Sequence, residues 1–147
     1  FKIDFEMITD YWKDTGTPDD IIHANGEVLK NMKSYNFSDV DKTTTLTGNV
    51  MIGKNSKIFG NSEIIGPCII GENCQIGPNA IIGPNCSINN DSQISNCSIQ
   101  NSIIMKNCVI DSKIKIHNSI IASNSKISIV NNDAEKIFLL GEGTQIM

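Results

Sequence analysis

The sequence predicts an all-β chain wound as a parallel β-helix, preceded by a short helical segment. Three observations carry that expectation. Leu46, Ile52, Ile58, Ile64, Ile70, Ile76, Ile82, Ile88 and Ile94 follow one another at intervals of six residues. That period belongs neither to an alternating strand nor to a 3.6-residue helix, and short internal repeats of this kind mark stacked architectures. The residue two places ahead of each later aliphatic is also restricted: Val50, Ser56, Ser62, Cys68, Cys74, Ala80, Cys86 and Ser92. Finally, Pro78-Asn79 and Pro84-Asn85, with Asn55, Asn61, Asn73 and Asn107 at the matching place, read as corners. Proline presets φ there, and asparagine tolerates the left-handed region that follows it in a type II-like turn.

One six-residue unit is a short strand and a turn, and three units close a triangular coil. Stacked coils then pair as parallel strands about 4.8 Å apart. Side chains two residues apart share a face, so the aliphatic and its small companion both point into the prism. Beyond Ile94 the spacing mixes five and six: Ile99, Ile104, Ile110, Ile116, Ile121 and Ile127, with Cys97, Ser102, Cys108, Ile114, Ser119 and Ser125 in the small slot. Ile64, Ile82, Ile99 and Ile116 are expected to stack in one column. Gly53, Gly71, Gly77 and Gly83 follow their aliphatics, where backbones approach closely.

All five cysteines fall in the small slot. Their number is odd and no C-x-x-C pair occurs, so neither a complete disulfide framework nor a zinc site fits. They read as small hydrophobes, reduced, in a cytoplasmic protein. Cys68 and Cys86, 18 residues apart, should be neighbours in adjacent coils with parallel side-chain vectors, a geometry that does not favour a bond.

Composition narrows the partners. The 147 residues carry a formal charge of -4 and a pI near 5.0, which argues against a nucleic-acid or acidic-membrane surface. No apolar run approaches the ~18 residues needed to cross a bilayer. The opening FKIDFEM, without an initiator methionine, is expected to have been cut from something longer.

Residues 1–34 form a separate object: a strand-like piece and one helix, too little for a core of their own. Thr17 is the expected N-cap, Pro18 the first helical residue, and Asp19 and Asp20 suit the positive helix end. Ile21, Ile22, Val28, Leu29 and Met32 make an apolar face; Gly26 costs about 1 kcal/mol relative to alanine. Residues 35–45 read as a linker or lead-in coil, and 46–147 as the β-helix with a C-terminal cap. In that cap Ile137, Phe138, Leu139 and Leu140 would cover the last coil. The preceding SIVNNDAEK reads as a loop.

The repeat resembles the hexapeptide-repeat, left-handed parallel β-helix family; the left hand is what the resemblance implies. The stretch YWKDTGTPDDIIHAN is similar to the end of the catalytic domain in sugar-1-phosphate nucleotidylyltransferases, an α/β domain, where a Trp-x-Asp-x-Gly-Thr-Pro run precedes a helix. Trp12, Asp14, Gly16, Thr17, Pro18, Ala24 and Asn25 stand in matching places. The tail, from SNCSIQNSII to IFLLGEGTQI, resembles the β-helix end of long-form glucose-1-phosphate thymidylyltransferases. The resemblance implies a parent that converts glucose 1-phosphate and dTTP into dTDP-glucose and pyrophosphate. It implies that Asp14 helps hold Mg²⁺ against the phosphates, chemistry suited to a hard cation with oxygen ligands.

No Gly-rich nucleotide loop occurs in the chain, so this portion alone is expected to be inactive, without a cofactor of its own, and to act in oligomer assembly or regulation beside its own catalytic domain. An alternative is a hexapeptide-repeat acetyltransferase using acetyl-CoA on an amino-sugar phosphate. Such chemistry needs a general base. Of His23 and His117, His117 follows Ile116 in the ladder and should face outward, where a base could serve. Exposed Ile65, Ile69, Ile81 and Ile103 would either supply a homo-oligomer surface, a trimer being favoured, or pack beneath the helix.

Overall fold

The computed structural model describes residues 13–129 and 134–147. The strand-like piece expected ahead of the helix, and Trp12, lie outside the described residues. From Tyr35 on, the described residues form a left-handed β-helix-like solenoid of three parallel sheets, with seven, seven and six strands. The first sheet stacks Tyr35–Asn36, Val50–Ile52, Cys68–Ile70, Cys86–Ile88, Ser102–Ile104, Ile120–Ile121 and Leu139–Leu140. The second runs from Asp39–Val40 to Gln145–Ile146, and the third from Thr45–Thr47 to Glu135–Lys136.

The register follows the six-residue pattern. Ile64 pairs with Ile82, Ile82 with Ile99, and Ile99 with Ile116. Every ladder isoleucine from Ile52 to Ile127 is buried. Removing each from water stabilises by about 1.5–3 kcal/mol. Leu46, expected inside with them, is 39% exposed. It belongs to the first coil, whose strand Thr45–Thr47 has, among the described residues, a strand neighbour on one side only, so it lacks there the two-sided stacking that covers the others.

The corners hold asparagine in the left-handed region, with φ between 56° and 60° at Asn55, Asn61, Asn73, Asn79, Asn85 and Asn107. Asp91, Asn96, Asn101, Asn118 and Asn124 adopt the same region, and the amides form ladders up the edges. Asn55 Nδ2 donates to Asn73 (3.3 Å) and Asn73 Nδ2 to Asp91 (3.2 Å). On the same edge Asn107 donates to Asn124 (2.8 Å) and Asn124 to Glu142 (2.9 Å). Glycine is required where coils touch. A Cβ on Gly53 would lie 2.7 Å from the Gly71 backbone, and one on Gly83, at φ 99°, 1.9 Å from the Ile65 carbonyl oxygen.

The small slot is also a hydrogen-bonding slot. Ser56 Oγ donates to Gly71 O (2.7 Å) and accepts from Cys74 N (3.0 Å). Ser92 does the same between Met105 O and Cys108 N, both at 3.2 Å. Serine here satisfies buried backbone groups that would be costly to leave unpaired.

Residues 35–45 supply the first coil: Tyr35–Asn36 pairs with Met51 and Ile52, and Asp39–Val40 with Lys57 and Ile58. The C-terminal segment, expected as a cap on the last coil, continues the winding. Leu139 and Leu140 pair with Ile120 and Ile121, and Gln145 and Ile146 with Lys126 and Ile127. Phe138 and Leu140 pack partly on the core, while Ile137 and Leu139 alternate outward and are 60% and 58% exposed. Period-2 alternation splits that apolar run between two faces. Within SIVNNDAEK, read as a loop, Glu135 and Lys136 are paired with Lys115 and Ile116.

Candidate functional site

The helix Pro18–Lys30 begins as its capping residues dictate. Thr17 is extended (φ -126°, ψ 158°) and its hydroxyl oxygen accepts from Asp20 N. Thr17 Oγ1 also donates to the Asp20 carboxylate at 2.7 Å, with Lys13 Nζ at 3.0 Å. The Thr17 hydrogen bond, then Lys13, holds the Asp20 carboxyl below its ordinary range. Ile22, Gly26 and Leu29 are buried, whereas Ile21 and Val28 are 40% and 60% exposed. The expected apolar face is therefore narrower than its sequence, because one helix side meets the first sheet and the other meets solvent.

The buried side lies against the strands Cys86–Ile88 and Ser102–Ile104. Ser87 Oγ donates to Asn25 Oδ1 at 2.6 Å, while the buried Asn25 Nδ2 has no partner among the described residues. Asn49 then ties the segment after the helix to the solenoid, its amide donating to Met32 O and accepting from Ser34 Oγ. Ile69 and Ile103, on this sheet, are half-buried; Ile81, on the third sheet, is 42% exposed.

Two grooves adjoin on the outer face of the first sheet. One, of about 390 Å³, is lined by Tyr35, Phe37, Lys54, Ile69, Glu72 and Asn90 among others. The other, about 290 Å³, shares Ile69 and Asn90 and continues to Ile103 and Met105. A shallower hollow of about 160 Å³ carries Ile81, Ser98, Lys113 and Lys115.

The residues singled out by sequence are not brought together. Asp14 is exposed, and among the described residues no group of three or more His, Cys, Asp or Glu side chains could hold a metal. One solvated carboxylate does not by itself make a Mg²⁺ site. His23 is exposed on the helix. His117 faces outward on the third sheet, pairs in register with Gln100, and is 25% exposed, its Nε2 3.9 Å from Glu135 Oε2. It lines none of the three grooves above.

The five cysteines are free and buried, and Cys68 and Cys86 are register partners. Burial pushes the thiols of Cys86 and Cys97 up to about 12 and that of Cys68 well above its ordinary value. Cys86 Sγ instead donates weakly to Ile99 O at 3.3 Å, as serine does in this slot. These are inert structural thiols.

The groove residues Tyr35, Phe37, Lys54, Glu72 and Asn90 escape the six-residue pattern, which reports only what points inward. The available signal was alignment of coils: Gly53 and Gly71 stand 18 residues apart at successive corners, and the lead-in aromatics fall beside them.

A triangular solenoid of six-residue rungs defines the class, a hexapeptide-repeat β-helix domain. The family model described as GMPPB C-terminal domain matches residues 64–147, and the chain belongs to that nucleotidylyltransferase-related family. No curated protein sequence matches the chain. Among solved structures it is similar to a point mutant of perosamine N-acetyltransferase from Caulobacter crescentus in complex with CoA and GDP-perosamine: 14% identity, TM-score 0.63, covering 74% of this chain and 52% of that one. It is also similar to the acetyltransferase domain of PglB from Neisseria gonorrhoeae in complex with acetyl coenzyme A: 12% identity, TM-score 0.62, 83% of this chain and 58% of that one. A third is a point mutant of AntD, an N-acyltransferase from Bacillus cereus, at 14% identity and TM-score 0.53, covering 76% and 83%. Such likenesses speak to fold alone. The chain spans 52% and 58% of the first two.

Proposed function

We propose that this chain is the C-terminal β-helix portion of a sugar-1-phosphate nucleotidylyltransferase whose parent reaction joins glucose 1-phosphate and dTTP to give dTDP-glucose and pyrophosphate. Its own work is assembly or regulation. The observation that carries this reading is the docked helix. The segment resembling the end of a catalytic domain is held to the rigid solenoid by Ile22, Gly26 and Leu29 and by the Ser87–Asn25 hydrogen bond. A wall fixed in this way can orient a catalytic unit, or another copy of the chain, without touching substrate. Asp14, just ahead of the helix, would lend one carboxylate to a Mg²⁺ site whose other ligands come from elsewhere. A homo-oligomer, with a trimer favoured, would use the exposed apolar part of the third sheet around Ile81. The free thiols suit a reducing cytoplasm.

The test is pyrophosphate release from a panel of sugar 1-phosphates and nucleoside triphosphates. The full-length parent should turn over glucose 1-phosphate with dTTP, and the 147-residue chain should not. Turnover by the chain alone, or none by the parent with any pair, sinks the proposal. Sedimentation of the chain as a clean monomer removes the trimer.

One observation favours a second reading, acetyl transfer from acetyl-CoA to an amino-sugar phosphate: the half-buried His117 beside Glu135 on the outer face. As base it would take a proton from the attacking amine. Release of free coenzyme A that disappears in His117→Ala supports it; no release from glucosamine or galactosamine phosphates removes it.

A further inference from the structure

We infer that the groove at the first corner of the solenoid is a binding site for a neutral hexopyranose ring. The inference stands on the groove alone and does not depend on the parent's reaction. Tyr35 and Phe37 flank it with ring centroids 5.1 Å apart and planes tilted 41°. Both are exposed, at 42% and 60%. Aromatic rings left in water at a concave place are apolar area waiting for a flat apolar partner. The volume of about 390 Å³ falls in the range of small-molecule sites.

The rim decides the chemistry. Lys54 and Glu72 both line the groove, and neither makes an ion pair among the described residues. One cation and one anion leave no net charge to attract a phosphate, and a purely apolar ligand would leave both heads desolvated without partners. Asn90 is the fixed point. Its Oδ1 accepts from Glu72 N at 2.8 Å, which leaves the two Nδ2 hydrogens without a protein partner among the described residues. A side chain pinned through one atom is pre-organised to offer the other. Bare backbone at Gly53 and Gly71 adds a floor with no side chain in the way. A ring with C–H groups on one face and hydroxyls around its edge matches this set. The apolar face lies on Phe37 or Tyr35, and the hydroxyls take Asn90 Nδ2, Lys54 Nζ and the Glu72 carboxylate.

Saturation-transfer NMR on the full chain with methyl glucoside and methyl mannoside tests the assignment, using inorganic phosphate as a charged control. Saturable transfer to the ring protons is expected in the millimolar range for at least one glycoside. Phe37→Ala should weaken it by about tenfold, the scale of one aromatic contact. Asn90→Asp keeps the acceptor for Glu72 N but removes the amide donors, and should weaken binding as well. Phe59→Ala, an exposed aromatic outside the groove, should leave it unchanged, and thermal melts verify that all three variants fold. No transfer to either glycoside, an affinity unchanged in Phe37→Ala, or displacement by inorganic phosphate would each overturn the assignment.

Discussion

Ser56 shows how much a single slot residue does. It accepts from Cys74 N and donates to Gly71 O inside the wall, so Ser56→Ala strands a buried amide. The expected loss is about 1–3 kcal/mol in urea unfolding, more than its volume would suggest. Gly26 runs the other way. It is buried in the helix, yet an added Cβ would meet only Asn85 side-chain atoms, at 3.7–4.0 Å, which is ordinary contact. Gly26→Ala should therefore stabilise by about 0.4–1 kcal/mol; a lower melting temperature would contradict the docking geometry. The cysteines occupy the same kind of slot as Ser56 with a weaker donor. Their shared spacing was readable from the sequence, but the slot's hydrogen bonds were not, because a list of Ser, Cys and Ala reports volume and hides partners.

At the scale of the element, the helix is joined to the solenoid by one narrow stripe. Leu29 is 3% exposed within that stripe. Leu29→Asp should undock the helix while the solenoid stays wound, seen as rapid amide exchange confined to 18–30 with the β signal retained. Val28→Asp, on the open side, should change neither. The helix start was legible in Thr17-Pro18-Asp19-Asp20, since capping is a local matter of backbone donors. Which of its two apolar stripes is buried was not, since Ile21 and Ile22 are equally apolar and only the position of the first sheet separates them. The C-terminal run Ile137 to Leu140 likewise read as apolar cover for the last coil, and strand alternation sends half of it, Ile137 and Leu139, outward.

For the whole molecule, each coil rests on its neighbours alone, so stability is close to a sum of rung and interface contributions. Ile82→Ala, in the middle and fully buried, should cost about 2–5 kcal/mol. The same change at Ile146, in the last coil, should cost distinctly less. The buried thiols add a pH dependence. Burial raises the folded value of Cys86 to about 12 from 9.0. This contribution to stability is thus complete below pH 9 and is lost as pH rises through the window up to 12. Urea melts at pH 8 and pH 10 read the loss directly, and thiol reagents at pH 8 should label the native chain only as fast as it unfolds.

What the sequence determined by itself was the inward half of this protein. The six-residue interval dictates which side chains stack, where the corners turn and why the sulfurs are buried, because each follows from strand alternation and turn chemistry within a few residues. Only the tertiary structure decided the outward half: the sheet that receives the helix, the coil that begins at Tyr35, and the groove formed by Phe37, Lys54, Glu72 and Asn90. Those residues come from successive coils, and nothing short of the winding register brings them side by side.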